Sequence, residues 1–229
     1  QIVQQLQDAS KLCGDIVAIP PEGSMMPDTY QYVYCDQRME IIERMQDEQR
    51  RFLEEDVSPP LPDPLLSVND LVILASIVEK ESATEQDKVA GVFINRLRAN
   101  MRLQSDPTVI YGITQGFGVL DRPLRRSDLR VQSAHNTYLI RGLPPTPIAN
   151  PSRAAILATL RPQETSALYF VADGERGHVF SETLREHNKN VAAYRQRLAE
   201  QAQEAQNQKN TQTSEDTQTQ PPQNNTDKE

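Results

Sequence analysis

Leu71-Val-Ile-Leu-Ala-Ser-Ile-Val-Glu-Lys-Glu-Ser82 is an apolar run that stops abruptly at three charged residues. Ser67 precedes it in a capping position, so the spacing predicts a helix from Val68 to about Ser82. At about 100° per residue, Glu81 projects along the face of Leu74, Ile77 and Val78. Glu79 lies over Val72, Ala75 and Ser76 instead, a face of smaller side chains with one hydroxyl. The two carboxyls point apart by about 160°, so one helix does not make them a cooperating pair. The more apolar surroundings of Glu81 disfavour its charged form and raise its pKa. A carboxyl partly protonated near neutral pH is what a general acid requires. The alternative is plain: a Glu ending an apolar helix is ordinarily solvated, with Lys80 as a local counter-ion.

Outward from this helix, Gln1 to Leu6 reads as the end of another, and Cys13 to Tyr34 is irregular. Asp36 is placed to cap a helix running to about Glu55, with Met39, Ile42, Met45 and Phe52 along one side. Pro59, Pro60, Pro62 and Pro64 make a stiff connector before Ser67. Thr84 is expected to cap a helix over 85–98, and a short helix is expected near Val109 within a looped stretch. Asn150-Pro151 reads as a cap followed by Pro at the first helical position, closed by Pro162. Ala167–Ala172 and His178–Ser181 read as two strands of a hairpin around Asp173–Gly177, and a last helix is expected over Lys189–Ala205. The predicted class is α+β, helix-dominated, with one or two small antiparallel sheets. Residues 1–65 form an N-terminal part ending in the Pro-rich connector, 66–199 the core that bears the chemistry, and 200–229 a polar tail expected to be disordered.

The 229 residues are 37% hydrophobic and 5% aromatic, with no Trp, and the polar tail accounts for much of that deficit. Lys+Arg 24 against Asp+Glu 32 gives a net charge of -8, which argues against nucleic acid or anionic lipid as the main ligand. No run approaches the roughly 20 apolar residues of a membrane helix. The chain opens on Gln1 rather than Met and is expected to be a piece of a longer protein, with any anchor upstream. Cys13 and Cys35 are the only cysteines; a disulfide and two free thiols are both open readings.

Further along the chain, Arg102-Leu-Gln104-Ser-Asp106-Pro-Thr-Val-Ile-Tyr111-Gly112 places an amide, a carboxylate and a phenol in one short looped stretch. His135-Asn136-Thr-Tyr138 and Gly142-Leu-Pro-Pro145 add a second polar cluster beside a Pro wall. Amides, hydroxyls and an aromatic face on rigid loops suit a polyhydroxylated ligand such as a sugar, although Asp106 and Asn136 are also ordinary turn residues. His135, His178 and His187 have no metal-ligand spacing, and no nucleophile elbow or phosphate-binding glycine loop is present. His178 and His187 are expected to be structural hydrogen-bonders rather than catalysts, with a site role for His178 as the alternative. No lysine stands in a pyridoxal-phosphate context, so neither metal nor cofactor is expected.

Taken in order, Ala75-Ser-Ile-Val-Glu-Lys-Glu81, Val92-Phe-Ile-Asn-Arg-Leu97, Met101-Arg-Leu-Gln104, Asp106-Pro-Thr-Val-Ile-Tyr-Gly112, Asn136-Thr-Tyr138, Gly142-Leu-Pro-Pro145 and Tyr169-Phe-Val-Ala-Asp-Gly174 resemble the MltG/YceG-like endolytic murein transglycosylases. The resemblance runs from about Glu22 to Leu198 and includes Pro27-Asp-Thr-Tyr30. It implies cleavage of the β-1,4 bond between N-acetylmuramic acid and N-acetylglucosamine in peptidoglycan, leaving 1,6-anhydro-muramic acid ends. It also implies that the second Glu of Glu-Lys-Glu, Glu81, is the essential one. Gln104, Asp106, Asn136 and Tyr138 are the candidates for holding saccharide. The family is usually tethered to the bacterial inner membrane by an upstream helix, with its catalytic part facing the periplasm and peptidoglycan synthases as possible partners. The sequence departs from the common pattern at Met25-Met26, His135, Thr146 and Ser152. Two other readings stand beside this one: a hydrolytic muramidase using Asp106 as second carboxylate, and a non-catalytic glycan-binding scaffold.

Overall fold

The computed structural model describes residues 1–117, 119–175 and 177–218, with side chains as far as Glu204. At its centre is the predicted helix, α3 (Val68–Glu81). A capping box starts it: the Asp70 N–H donates to Ser67 Oγ at 3.1 Å, and the Asp70 carboxylate accepts from the Ser67 N–H at 3.1 Å. Every residue from Leu71 to Val78 is buried, as a helix apolar on all sides demands.

Three helices enclose α3: α4 (Gln86–Arg98), α5 (Asp106–Thr114) and α6 (Arg153–Leu160). Leu71, Leu74, Ile77 and Val78 meet Val89, Phe93, Ile94, Leu103 and Ile156 in one apolar cluster, which Met26, Phe52, Val57 and Leu65 join from the N-terminal side. The lone hydroxyl inside α3 is used twice. Ser76 Oγ donates to the Ile73 carbonyl at 2.7 Å and accepts from the Ile148 N–H at 3.0 Å, fastening the Pro-rich segment onto the helix.

The N-terminal part is built on α1 (Ile2–Asp8) and α2 (Arg38–Glu55), with its own cluster of Leu12, Met25, Ile41, Ile42 and Met45. Cys13 and Cys35 form a disulfide, which settles the alternative that sequence left open. Beside it the Arg38 guanidinium donates to the carbonyls of Leu6 (2.8 Å), Ala9 (3.0 Å) and Gly14 (2.8 Å), satisfying acceptors at and beyond the end of α1. Glu48 of α2 pairs with Arg153 of α6, so this part is tied to the core by charge as well as by packing.

Strands β1 (Tyr169–Ala172) and β2 (His178–Ser181) pair antiparallel, Tyr169 opposite Ser181 and Phe170 opposite Phe180. Helix α7 (Leu184–Gln218) packs on both strands. The class is therefore α+β and helix-dominated, with one two-stranded sheet among the described residues. Among them no helix is long and apolar enough to cross a membrane.

Several helix starts differ from the predicted ones. Gln37, not Asp36, is the cap of α2; the Asp36 carboxylate accepts from the Val33 N–H at 3.0 Å instead. Glu85, not Thr84, takes the cap position of α4, and Ser82 Oγ accepts from the N–H groups of Thr84 and Glu85. Ser152 rather than Asn150 caps α6, because Asn150 Oδ1 accepts from the Met25 N–H at 3.0 Å. Helix α7 begins before Lys189 because Thr183 and Glu186 form a reciprocal capping pair. It continues through residues 200–218 of the expected tail; 219–229 lie outside the described residues.

Gly91 of α4 lies close against backbone, since a Cβ there would lie 2.5 Å from the Gln163 carbonyl oxygen. Gly91→Ala is expected to destabilise the fold by about 1–3 kcal/mol, because backbone rather than a flexible side chain must give way. Thermal and denaturant unfolding followed by circular dichroism measures it.

Candidate active site

Glu81 is the last residue of α3, and its backbone turns away at Ser82, which is extended (φ -147, ψ 140). Glu81 is only partly open to solvent, while the helix behind it is buried. Its carboxyl meets a hydroxyl: Ser105 Oγ donates to Glu81 Oε1 at 2.5 Å. Burial raises the Glu81 pKa most, and the Asp106 charge adds to that; the Ser105 bond and the Arg96 charge oppose it. The balance leaves the carboxyl pushed up to about 7. The negative end of the α3 dipole also disfavours a carboxylate there.

Glu79 has the other task that its helical face suggests. Its Oε2 accepts from Ser152 Oγ at 2.6 Å and from the Ser152 N–H at 3.2 Å, anchoring the start of α6. Two carboxyls two residues apart on one helix thus have different partners, Ser152 for Glu79 and Ser105 for Glu81.

Two crossing loops hold Ser105. Its N–H donates to Thr137 Oγ1 at 3.0 Å, and its carbonyl accepts from Thr108 Oγ1 at 2.6 Å. The Thr108 and Thr137 hydroxyls meet at 2.8 Å, and the Gln104 N–H donates to the Thr137 carbonyl at 3.2 Å. All three hydroxyl residues are buried. None was singled out from sequence, although Ser105 lies inside the quoted Gln104–Asp106 stretch. A Ser before Asp-Pro reads as a helix cap, and Ser105 does occupy the cap position of α5, but without a capping side-chain bond. Its hydroxyl serves Glu81.

Of the four candidates for holding saccharide, the fold brings Asp106 and Tyr138 together beside Glu81. The Tyr138 phenol donates to Asp106 Oδ1 at 2.6 Å, and both groups act electrostatically on Glu81 or feel its charge. Burial raises the Tyr138 pKa most, with the Asp106 bond and charge adding to it, so the phenol keeps its proton. Gln104 is exposed on a left-handed residue (φ 53) at the edge of the same turn. Asn136 is a correction to the expectation: it is 0% exposed, and its side chain is engaged by backbone. Its Nδ2 donates to the carbonyls of Leu129 and Val131, while Oδ1 accepts from the Tyr138 N–H at 3.0 Å. It shapes the loop that presents Tyr138 and has no free polar atom turned outward.

The second cluster forms around His135. Its ring lies 4.7 Å from that of Tyr111, and Nε2 is 2.8 Å from Thr146 Oγ1, so two departures from the family pattern are each other's partners. His178 is held through Nδ1 and its N–H by Glu85 Oε2. Chemically, the arrangement offers one carboxyl able to give and reclaim a proton near neutral pH, beside a carboxylate–phenol pair.

A carboxyl whose pKa is raised on folding opposes stability once the unfolded chain would ionise. That cost begins near the ordinary value of 4.5 and grows with pH until it levels off above about 7. Glu81→Gln keeps an acceptor for Ser105 and removes the charge. The variant is expected to match the wild type near pH 4 and to exceed it by up to about 3 kcal/mol at pH 8. Urea unfolding at both pH values checks this; equal stability at pH 8 would contradict the raised pKa.

The YceG-like family model matches residues 1–193. An endolytic murein transglycosylase of Bacillus subtilis (strain 168) is 38% identical over 177 residues, 76% of this chain and 48% of that protein. One from Streptococcus pneumoniae serotype 2 (strain D39 / NCTC 7466) is 33% identical over 182 residues, 76% of this chain and 32% of that protein. The crystal structure of a yceG-like protein from Listeria monocytogenes superposes with a TM-score of 0.59 at 35% identity, covering 73% of this chain and 53% of that one. The chain thus spans about half, or less, of the length of these relatives. With 193 of its 229 residues matched, it belongs to the YceG-like family.

Proposed function

We propose that this chain is the catalytic portion of an endolytic peptidoglycan lytic transglycosylase, a lyase cutting the β-1,4 bond between N-acetylmuramic acid and N-acetylglucosamine within glycan strands. Its products end in 1,6-anhydro-muramic acid, and Glu81 is its single acid and base. The observation that carries this reading is the partly buried Glu81 carboxyl, with a pKa near neutral and the Ser105 hydroxyl donating to it at 2.5 Å. The relatives named endolytic murein transglycosylase support the substrate class.

Protonated Glu81 gives its proton to the glycosidic oxygen as the bond from that oxygen to the muramic anomeric carbon breaks. Positive charge develops on that carbon. The resulting Glu81 carboxylate, held by the Ser105 hydroxyl, accepts the proton of the muramic C6 hydroxyl. That oxygen bonds to the anomeric carbon and closes the anhydro ring, so Glu81 ends as it began and no water is consumed. Asp106 supports this over hydrolysis: one of its carboxylate oxygens already accepts from the Tyr138 phenol, a geometry that orients a partner. Tyr138 and Gln104 hold the saccharide, with Asp106 fixing the phenol.

The disulfide supports a location outside the reducing cytosol, in keeping with a catalytic part facing the periplasm. The net charge of -8 favours neither nucleic acid nor an anionic lipid surface as ligand.

Glu81→Gln is expected to lower turnover of purified glycan strands by at least about 10³-fold while the fold persists. Mass spectrometry of wild-type products should show ends one water lighter than reducing ends. Reducing ends would indicate a muramidase, and strand binding without any cleavage would indicate a scaffold.

In the wild type, turnover should fall above about pH 7, as the acid form of Glu81 is lost. Asp106→Asn removes a charge that raises the Glu81 pKa, so that alkaline limb should move to lower pH with turnover reduced but measurable. Complete loss in Asp106→Asn would favour the two-carboxylate route.

A further inference from the structure

Arg96, in the last turn of α4, is a charged residue in the core for which packing alone gives no reason. It is 7% exposed, and among the described residues it forms no ion pair. Burying an unpaired guanidinium is costly unless its donors are satisfied. Arg96 satisfies them on carbonyls. Its Nε donates to Leu168 at 2.6 Å, and its Nη1 to Leu103 at 2.7 Å and Arg102 at 3.3 Å. The guanidinium also lies 5.1 Å over the ring of Tyr169.

Two of those carbonyls belong to the residues immediately before Gln104, whose positive φ of 53 is unfavourable for a residue with a Cβ. Such a conformation persists only where its surroundings impose it. Arg96 grips the chain before this residue, and Thr137 accepts its N–H. The next residue is Ser105. We propose that Arg96 is the positioning residue of the acid: by clamping the Arg102 and Leu103 carbonyls it sets the left-handed turn that delivers the Ser105 hydroxyl to Glu81. Its charge also reaches Glu81 directly, opposing the effects of burial and of Asp106. The groups facing this pair are Asp106 from α5, Tyr138 from the following loop, Tyr169 from β1 and His187 from α7. This inference rests on the transglycosylase reading for its kinetic test.

Lysine carries the charge but lacks the planar fork that spans separate carbonyls. Arg96→Lys is expected to lower kcat roughly 10- to 100-fold with KM changed less than about twofold, and Ser105→Ala to do the same. Because one acts through the other, the double variant should be no slower than Ser105→Ala alone. Wild-type kcat in Arg96→Lys, or losses that multiply in the double variant, would overturn the proposal. Should Arg96→Lys fail to fold by circular dichroism, the unmutated protein decides. The Arg96 Nη1–H resonance, whose acceptors are the Arg102 and Leu103 carbonyls, should titrate with the Glu81 carboxyl carbon at one midpoint; a resonance silent through that titration refutes the coupling. If the wild type cleaves no strands, the transglycosylase reading falls, while the resonance experiment still judges the clamp.

Discussion

The site depends on a carboxyl placed at the end of a helix that has no polar face. Eight consecutive residues of α3 are buried between α4, α5 and α6, so the helix has no freedom to turn a charged side chain back toward water. Its charged residues are confined to the ends, and several polar side chains have defined tasks. Ser67 and Asp70 satisfy the first turn, Ser76 fastens the Pro-rich segment, and Glu79 anchors α6. Glu81 is left facing a hydroxyl, where its protonation state responds to small changes around it.

Among the described residues, that hydroxyl is held without any charge in direct contact with it besides Glu81. Thr108 and Thr137 bridge the loops before α5 and after residue 136 through short, stiff side chains. Gly112 contributes by absence: a Cβ there would lie 2.6 Å from the Ser133 hydroxyl, on the loop that leads to Tyr138. Asn136 completes the arrangement from inside by bonding three backbone groups. The polar groups of these loops are paired with each other, leaving few to pair with solvent.

The central helix, the hairpin and the more apolar surroundings of Glu81 relative to Glu79 were legible in the sequence, because each follows from periodicity. A 3.6-residue repeat says which carboxyl shares a face with Leu74 and Ile77, and burial does the rest. Helix starts were less legible. Ser, Thr, Asp and Asn are interchangeable as caps locally, and the choice among them is made by distant partners. Asn150 is taken by the Met25 backbone, 125 residues away in sequence, which leaves Ser152 to cap α6. The same limit hid Ser105 and miscast Asn136. Both have residue types with strong local uses, and only the fold shows that one turns toward the acid and the other toward its own backbone. Thr183-Leu-Arg-Glu186 has the spacing of a capping box, and α7 starts there rather than at the expected Lys189.

Opposed influences of moderate size suit the double role proposed for Glu81. Burial, Asp106 and the helix terminus favour the protonated form of Glu81; Ser105 and Arg96 favour the ionised one. With burial alone the carboxyl would hold its proton too tightly to protonate a leaving oxygen, and would strand a costly bare anion after doing so. With Ser105 and Arg96 in fully dominant control it would be ionised before substrate arrived. A one-carboxylate cycle needs both forms within one turnover, so each must be reachable at the same pH. The donors that stabilise the anion therefore belong on elements that hold still while the proton leaves and returns. A buried serine on a paired loop and an arginine bound to three carbonyls meet that requirement better than mobile surface groups, whose stabilisation would be lost to solvent and salt.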